Sequence, residues 1–269
     1  MSALVFCPLY SGSSGNALFA QYGATRVLID AGKPGVCIQA ALAGIGVEIG
    51  TISGVLITHE HSDHISGAGV MARKYHLPLY ATAGTWRAME DKVGRIPPEL
   101  RREFSANQEF WLGGLGVSPF PIPHDAADPV AYRLWGGPAS LSIATDLGFF
   151  ASQVLERISG SDLVLLESNH DPDLLRANPH YSPALKSRIL GNRGHLSNEA
   201  CGQALVQLVA RGTRTVVLGH LSGENNNPTL ARRASLRALE QDGIQPGDIR
   251  LDVASREEVG DVYWIRRDA

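Results

Sequence analysis

The sequence predicts an α/β protein built as a four-layer αβ/βα sandwich, two sheets face to face with helices outside. Two observations carry this expectation. A β-rich first part is followed, from residue 150, by alternating helices and strands. In addition, 44% of the 269 residues are hydrophobic, with no repeat, low-complexity tract or convincing linker. That suits a single domain over residues 1–269 with a large core, or at most two small ones.

The elements follow in order. Residues 3–10, 16–22 and 25–31 read as strands, separated by Ser11-Gly12-Ser13-Ser14-Gly15 and by Gly23. Residues 34–46 read as a helix packed through Val36, Ile38, Ala41 and Leu42. The apolar run Gly54-Val55-Leu56-Ile57 has the character of a buried strand, and Ile65-Ser66-Gly67-Ala68-Gly69 opens a helix reaching residue 75. Residues 78–82 make another strand. The segment 84–104 is mixed and carries Arg87, Lys92, Arg95, Arg101 and Arg102. Strands are expected within 109–123, 130–135 and 141–146. Helix 150–158, strand 162–167, helices 182–190 and 197–211, strand 215–220 and helix 228–241 come next. Strands at 249–253 and 262–266 close the chain.

Composition narrows the class. Three cysteines, Cys7, Cys37 and Cys201, cannot pair evenly and show no Cys-x-x-Cys spacing, so a reducing cytoplasm is the expected setting. The start, Met1-Ser2-Ala3-Leu4, lacks the basic and long apolar regions of a signal peptide. No apolar run approaches membrane-spanning length, so no membrane partner is expected. The net charge is −3. Any contact with nucleic acid must therefore use local positive charge.

The chemistry concentrates in Thr58-His59-Glu60-His61-Ser62-Asp63-His64, a His-x-His-x-Asp-His pattern directly after the apolar strand. Imidazole and carboxylate together suit borderline divalent ions such as zinc, manganese or iron. One ion cannot easily take four groups from so short a loop. His59 and His61 can serve one ion, and Asp63 and His64 a second, the arrangement of a two-metal hydrolase. Three further strand ends carry candidate ligands: His124 after Phe120-Pro121-Ile122-Pro123, Asp146 after Ile143-Ala144-Thr145, and His220 after Val216-Val217-Leu218-Gly219. Asp30 ends the strand Val27-Leu28-Ile29 and is expected to hydrogen-bond the ligand loop rather than bind metal.

These segments, in this order, resemble the metallo-β-lactamase fold superfamily, whose αβ/βα sandwich is the same fold. The resemblance implies that His59, His61 and His124 bind one ion, that Asp63, His64 and His220 bind the other, and that Asp146 bridges them. All seven ligands are His or Asp, so no thiolate enforces zinc over manganese or iron. An aspartate at 146 is the pattern of the phosphodiesterase, nuclease and thioesterase branches rather than of the antibiotic-hydrolysing enzymes.

A second set of motifs lies downstream: Glu167-Ser168-Asn169-His170-Asp171, Leu185-Lys186-x-Arg188-Ile189, Gly194-His195-Leu196-Ser197-Asn198-Glu199 and His220-Leu221-Ser222-x-Glu224-Asn225-Asn226. With Ser11-Gly12-Ser13-Ser14-Gly15-Asn16 they resemble the YycJ/WalJ-like group of bacterial exonucleases, related to ribonuclease Z. The resemblance implies a 5′-to-3′ DNA exonuclease, with DNA rather than RNA as the nucleic-acid partner. A metal-bridging hydroxide would attack phosphorus, Asp63 would orient it, and His195 would protonate the leaving oxygen with Glu167 as its partner. Ser13, Ser14, Asn16, Lys186, Arg188 and Asn225 are the candidate substrate contacts. Ser197 or Asn198 also reads as a helix cap.

Two other readings compete. One is a small-molecule metallo-hydrolase: a cyclic phosphodiesterase, a glyoxalase II-like thioesterase or a weak β-lactamase. The thioesterases usually end in a helical domain, whereas the C-terminal part here reads as strands. The other is a metal-stabilised binding module without turnover, against which the intact ligand set and the Glu167/His195 pair argue.

Overall fold

The structure, a computed structural model, describes residues 2–245 and 247–267. Its contacts group into two compact units: Met1–Pro121 with Ala126–Ser140 and Ser255–Ala269, and Ile122–Asp125 with Leu141–Ala254.

The first unit begins with β1 (Leu4–Tyr10), β2 (Ala17–Tyr22) and β3 (Thr25–Ile29), an antiparallel meander. Helix α1 (Gly35–Gly44) buries Ile38, Ala41 and Leu42. Val36, expected in that packed face, is 65% exposed, because it sits one residue into the helix on the solvent side. Strand β4 (Gly54–Leu56) then pairs parallel with β3.

The segment after β4 is not a plain loop. Ser62–Ile65 forms a helical turn, α2, and a second helix, α3, covers Ala68–Tyr75. Asp63 and His64 therefore project from a helix start, while His59 and His61 stay in extended chain. Strand β5 (Leu79–Thr82) and helix α4 (Ala83–Val93) follow. Strand β6 (Arg101–Phe104) pairs parallel with β5. Strands β7 (Phe110–Leu112), β8 (Leu115–Pro121) and β9 (Val130–Gly136) are antiparallel. The core of this unit gathers Phe19, Leu28, Val55, Ile57, Trp86 and Met89, all buried.

The second unit is a parallel β/α array. Strands β10 (Ala139–Ala144), β11 (Leu163–Glu167), β12 (Thr215–Gly219) and β13 (Arg250–Val253) lie side by side. They alternate with α5 (Ser152–Ile158), α6 (Pro172–Ala177), α7 (Pro183–Leu190), α8 (Asn198–Ala210) and α9 (Pro228–Gln241). The all-apolar strand Leu163-Val164-Leu165-Leu166 is what a parallel strand buried on both faces requires. Four of these helices start on side-chain caps, from Asp171, Ser182, Ser197 and Asn227, which satisfy otherwise orphaned amides. Helix α6 was not expected from the sequence, because six residues span less than two helical turns and show no period. The chain then returns to the first unit, where β14 (Tyr263–Ile265) pairs antiparallel with β1.

Cys7 and Cys201 are buried and Cys37 is partly exposed; all three are free thiols. Among the described residues no helix is long and apolar enough to cross a membrane.

Helices α8 and α9 meet closely because residue 202 has no side chain: a Cβ there would lie 2.8 Å from the Ala238 Cβ, which cannot swing aside. Gly202→Val is expected to lower the unfolding free energy by about 1–3 kcal/mol through overpacking, read as a shifted urea midpoint at constant slope.

Candidate functional site

The candidate ligands stand in the segments that follow the C-terminal ends of strands, where a rigid sheet positions them; Asp63 and His64 lie farthest along, in α2. Two of the ligands, Asp146 and His220, and the supporting Asp30 hold a backbone conformation that side chains rarely adopt. Asp30 (φ 62°), Asp146 (φ 62°) and His220 (φ 56°) are left-handed. Asp and His tolerate that region better than most residues, yet glycine would be the unstrained choice. Such strain gathers where the surroundings hold a side chain for a purpose.

In the first unit the site is organised by Asp30. Its carboxylate is 2% exposed. Oδ1 accepts from the Thr58 amide at 2.8 Å, and Oδ2 accepts from the Thr58 hydroxyl at 2.8 Å and from His64 Nδ1 at 2.8 Å. Burial pushes the carboxyl's pKa up, against the His64 and Thr58 bonds that favour the ionised form. Asp30 therefore hydrogen-bonds the His59–His64 segment and its neighbour Thr58, the contact the sequence implies. Thr58 was not singled out from the sequence. Its hydroxyl also lies 3.0 Å from His59 Nδ1.

These clamps decide which nitrogens face outward. With Nδ1 tied to Asp30, His64 presents Nε2, 3.5 Å from Asp63 Oδ2. With Nδ1 at Thr58, His59 presents Nε2, and this atom lies 3.1 Å from His61 Nδ1. Two imidazole nitrogens so close either share a proton or converge on a cation. His59 and His64 are fully buried, and His61 and Asp63 are partly exposed. The Asn16 amide stands 3.2 Å from His64 Nε2, but it also reaches the backbone oxygens of Gly12 and Asp63. It can keep those bonds while His64 takes another partner. Gly32 completes the support: a Cβ at that position would lie 1.7 Å from the Asp63 carbonyl oxygen.

In the second unit the organiser is Glu167, fully buried at the end of β11. Four donors fill its carboxylate. Oε1 accepts from His195 Nδ1 at 2.8 Å and from His220 Nδ1 at 2.9 Å. Oε2 accepts from the amides of Leu147 at 2.7 Å and Leu196 at 3.0 Å. Burial alone would raise its pKa; the facing His195 and His220 outweigh this and hold it well below the usual carboxylate range. For His195, burial pulls the pKa down, but Glu167 and Asp146 more than compensate and leave it raised.

His220 Nε2 then lies 3.5 Å from Asp146 Oδ1. His124 is tied through Nδ1 to the Gly194 carbonyl at 3.2 Å, and its Nε2 lies 3.7 Å from the same Asp146 oxygen. Burial lowers the His124 pKa, which favours the neutral imidazole that binds metals. Asp146, Glu167, His195 and His220 each place one ligand atom within 4.8 Å of the others, a grouping that can hold a metal ion. Histidines with one nitrogen on a carboxylate or carbonyl and the other turned to a shared acid are the donor arrangement of metal sites.

The candidate substrate contacts divide. Ser13 and Ser14 are exposed on the glycine-rich loop, but Asn16 is 3% exposed and bonded into that loop. Lys186 bonds the Arg176 carbonyl from α7, and Arg188 pairs with Asp125. Asn225 is buried, its amide engaged by Asn178 and Ser222. Asn226, without an expected role, bonds the carbonyls of Ser168 and Asn169 and the Asn198 side chain. Ser197 caps α8. Much of the downstream polar run is thus scaffolding that ties β11, α8 and the β12 end together.

Residues 25–221 match a family model described as beta-lactamase superfamily domain. The chain is 38% identical over 245 residues to a Bacillus anthracis protein named exodeoxyribonuclease YycJ, covering 91% of this chain and 92% of that one. It is 37% identical over 241 residues to Streptococcus pneumoniae exodeoxyribonuclease WalJ, 89% of each. Among solved structures, the Bacillus subtilis metallo-beta-lactamase fold protein YhfI superposes with a TM-score of 0.71 at 15% identity, over 97% of this chain and 99% of that one. At that identity the likeness establishes the fold, the αβ/βα sandwich that the element order predicts.

The Asp30 clamp gives a direct prediction. Asp30→Asn keeps the shape but offers Thr58 and His64 a weaker acceptor. Affinity for zinc or manganese, measured by competition with a chelating dye, is expected to fall about 10–100-fold.

Proposed function

The chain belongs to the beta-lactamase superfamily, within the group that includes YycJ and WalJ, and is a metal-dependent hydrolase; on that premise we propose that its substrate is DNA, degraded stepwise from a 5′ end. The observation that carries this reading is the Glu167–His195 pair beside Asp146 and His220. Hydrolysis of a phosphodiester expels an alkoxide, which needs a proton. His195 is positioned to give one: Nδ1 is held by Glu167, the ring keeps 22% of its side chain exposed, and Nε2 is the atom left for substrate. The names of the relatives supply the polymer, DNA.

The donor set fits two divalent ions, zinc, manganese or iron. His59, His61 and His124 would hold one, Asp63, His64 and His220 the other, with Asp146 shared. Such ions acidify a water and neutralise charge on the phosphoryl oxygens. The chain's own residues do the rest. Asp30 and Thr58 fix the rings of His59 and His64. Glu167 fixes His195 and His220 and, against burial, raises the pKa of the first, which favours its protonated form. Asp63, partly exposed beside His64, orients the attacking oxygen. Ser13 and Ser14 in the first unit, and Lys186 and Arg188 in the second, would meet strand phosphates.

Two expected outcomes test this. With manganese added, end-labelled duplex and single-stranded DNA should shorten stepwise from the 5′ end, and chelation or Asp63→Ala should stop it; cleavage of a bis-aryl phosphodiester alone would transfer the activity to small molecules. His195→Ala should retain its metal, by elemental analysis, while turnover falls about 10²–10⁴-fold. Unchanged turnover would remove His195 from the reaction.

A further inference from the structure

The loop Ser11-Gly12-Ser13-Ser14-Gly15-Asn16 lies directly against the Asp63 turn: the Asn16 amide donates to the Asp63 carbonyl at 2.7 Å, and the Asn16 carbonyl accepts from Gly32 at 2.7 Å. Two cationic side chains lie on its glycines. A Cβ at Gly12 would meet Arg256 Cγ at 2.5 Å, and one at Gly15, whose φ is +150°, would meet Lys33 Cδ at 2.7 Å. The glycines are therefore what lets both stems approach the loop. Both heads converge on one hydroxyl: Lys33 Nζ and Arg256 Nη2 each stand 3.4 Å from Ser14 Oγ.

An anion already sits on this triad. Ser14 donates to Glu257 Oε1 at 3.1 Å, Arg256 Nη2 lies 3.6 Å from the same oxygen, and Lys33 donates to Oε2 at 3.1 Å. The Lys33 bond leads the influences that hold the Glu257 carboxyl below its usual range. Yet Glu257 is a weak occupant. Its side chain is 63% exposed against 13% for Lys33, and exposed ion pairs contribute little. One carboxylate leaves two cations incompletely matched, and among the described residues the buried Arg256 Nε–H has no acceptor.

We propose that Ser14, Lys33 and Arg256 hold a phosphate of the DNA strand beside the Asp63 turn, and that Glu257 is an internal anion which this phosphate displaces. The proposal rests on the DNA reading above and adds to it two residues, Lys33 and Arg256, and a competitor. The glycine-rich loop then acts less through its amides than as a gap that admits two cations.

The test measures equilibrium binding of the full chain to a hydrolysis-resistant phosphorothioate oligonucleotide ending in a 5′-phosphate, across a salt series. Lys33→Met keeps the apolar stem and loses the charge. It should weaken binding about tenfold and flatten the slope of log affinity on log salt by about 0.7. Glu257→Gln keeps the shape and removes the competing charge, and should tighten binding about fivefold. Opposite signs are the signature, because a merely structural ion pair would make both variants bind worse or neither change. Equal effects in the two variants, or an unchanged salt slope in Lys33→Met, would overturn the proposal. A parallel titration with sulfate, read as melting temperature, separates the two readings. A larger sulfate-induced rise in Glu257→Gln than in Lys33→Met, with no DNA bound by any of the proteins, would keep the anion site and discard DNA as its ligand.

Discussion

A histidine can bind a cation only through a bare ring nitrogen, so a site built on histidines depends on how the other nitrogen is held. That constraint accounts for most of what surrounds the candidate ligands. His64 is fixed by Asp30, His59 by Thr58, His220 by Glu167 and His124 by a backbone carbonyl. Each tether selects the nitrogen presented and fixes the plane of the ring. The two carboxylates are themselves tied to backbone amides, Asp30 to Thr58 and Glu167 to Leu147 and Leu196. Position is thus handed from sheet to amide, from amide to carboxylate and from carboxylate to imidazole, with no freely rotating link.

The same demand explains why unfavourable backbone is retained. Asp30, Asp146 and His220 each turn the chain through a left-handed residue immediately after a buried strand. Glycine would adopt that turn more readily but would bring no oxygen or nitrogen. The strain is of order 1–3 kcal/mol per residue, and it is sustained by strands such as Val27-Leu28-Ile29 and Val216-Val217-Leu218 that are fully buried. A strong sheet and a strained rim belong together here.

Much of this was legible in the sequence, for identifiable reasons. Apolar runs that stop at an Asp or a His mark strand ends, so β3, β10 and β12 could be placed to within a few residues. Helix α9 could be bounded correctly because Asn227 and Pro228 announce its start and its apolar period is long. Asp30 read as an orienting residue because a lone carboxylate at the end of a buried strand needs local donors. Other features left no local trace. Helix α2 is hidden because its four residues, Ser62 to Ile65, are too few to show a helical period. Thr58 is unremarkable as a residue type, and its two roles exist only once Asp30 and His59 flank it. Asn225 reads as a substrate contact and Asn226 has no expected role in the sequence; both are buried and tied to neighbouring segments. The pairing of Lys33 with Glu257 joins residues 224 positions apart, which no window on the sequence can see.

The way the chain threads its two units has a consequence for how the protein is made. The second unit is nearly continuous in sequence, whereas the first is interrupted and recovers its remaining pieces only from residue 255 onward. Ser255 accepts from the Ser11 amide, Arg256 covers Gly12 and β14 pairs with β1. Ser14 leaves the ribosome 242 residues before the Arg256 that covers its loop. The β/α array can consolidate while the earlier strands wait with an open edge, the reverse of the usual order of N-terminal folding first. The loop beside Asp63 is therefore finished late, and a nascent chain carries its histidines before it has completed the surface that lies next to them.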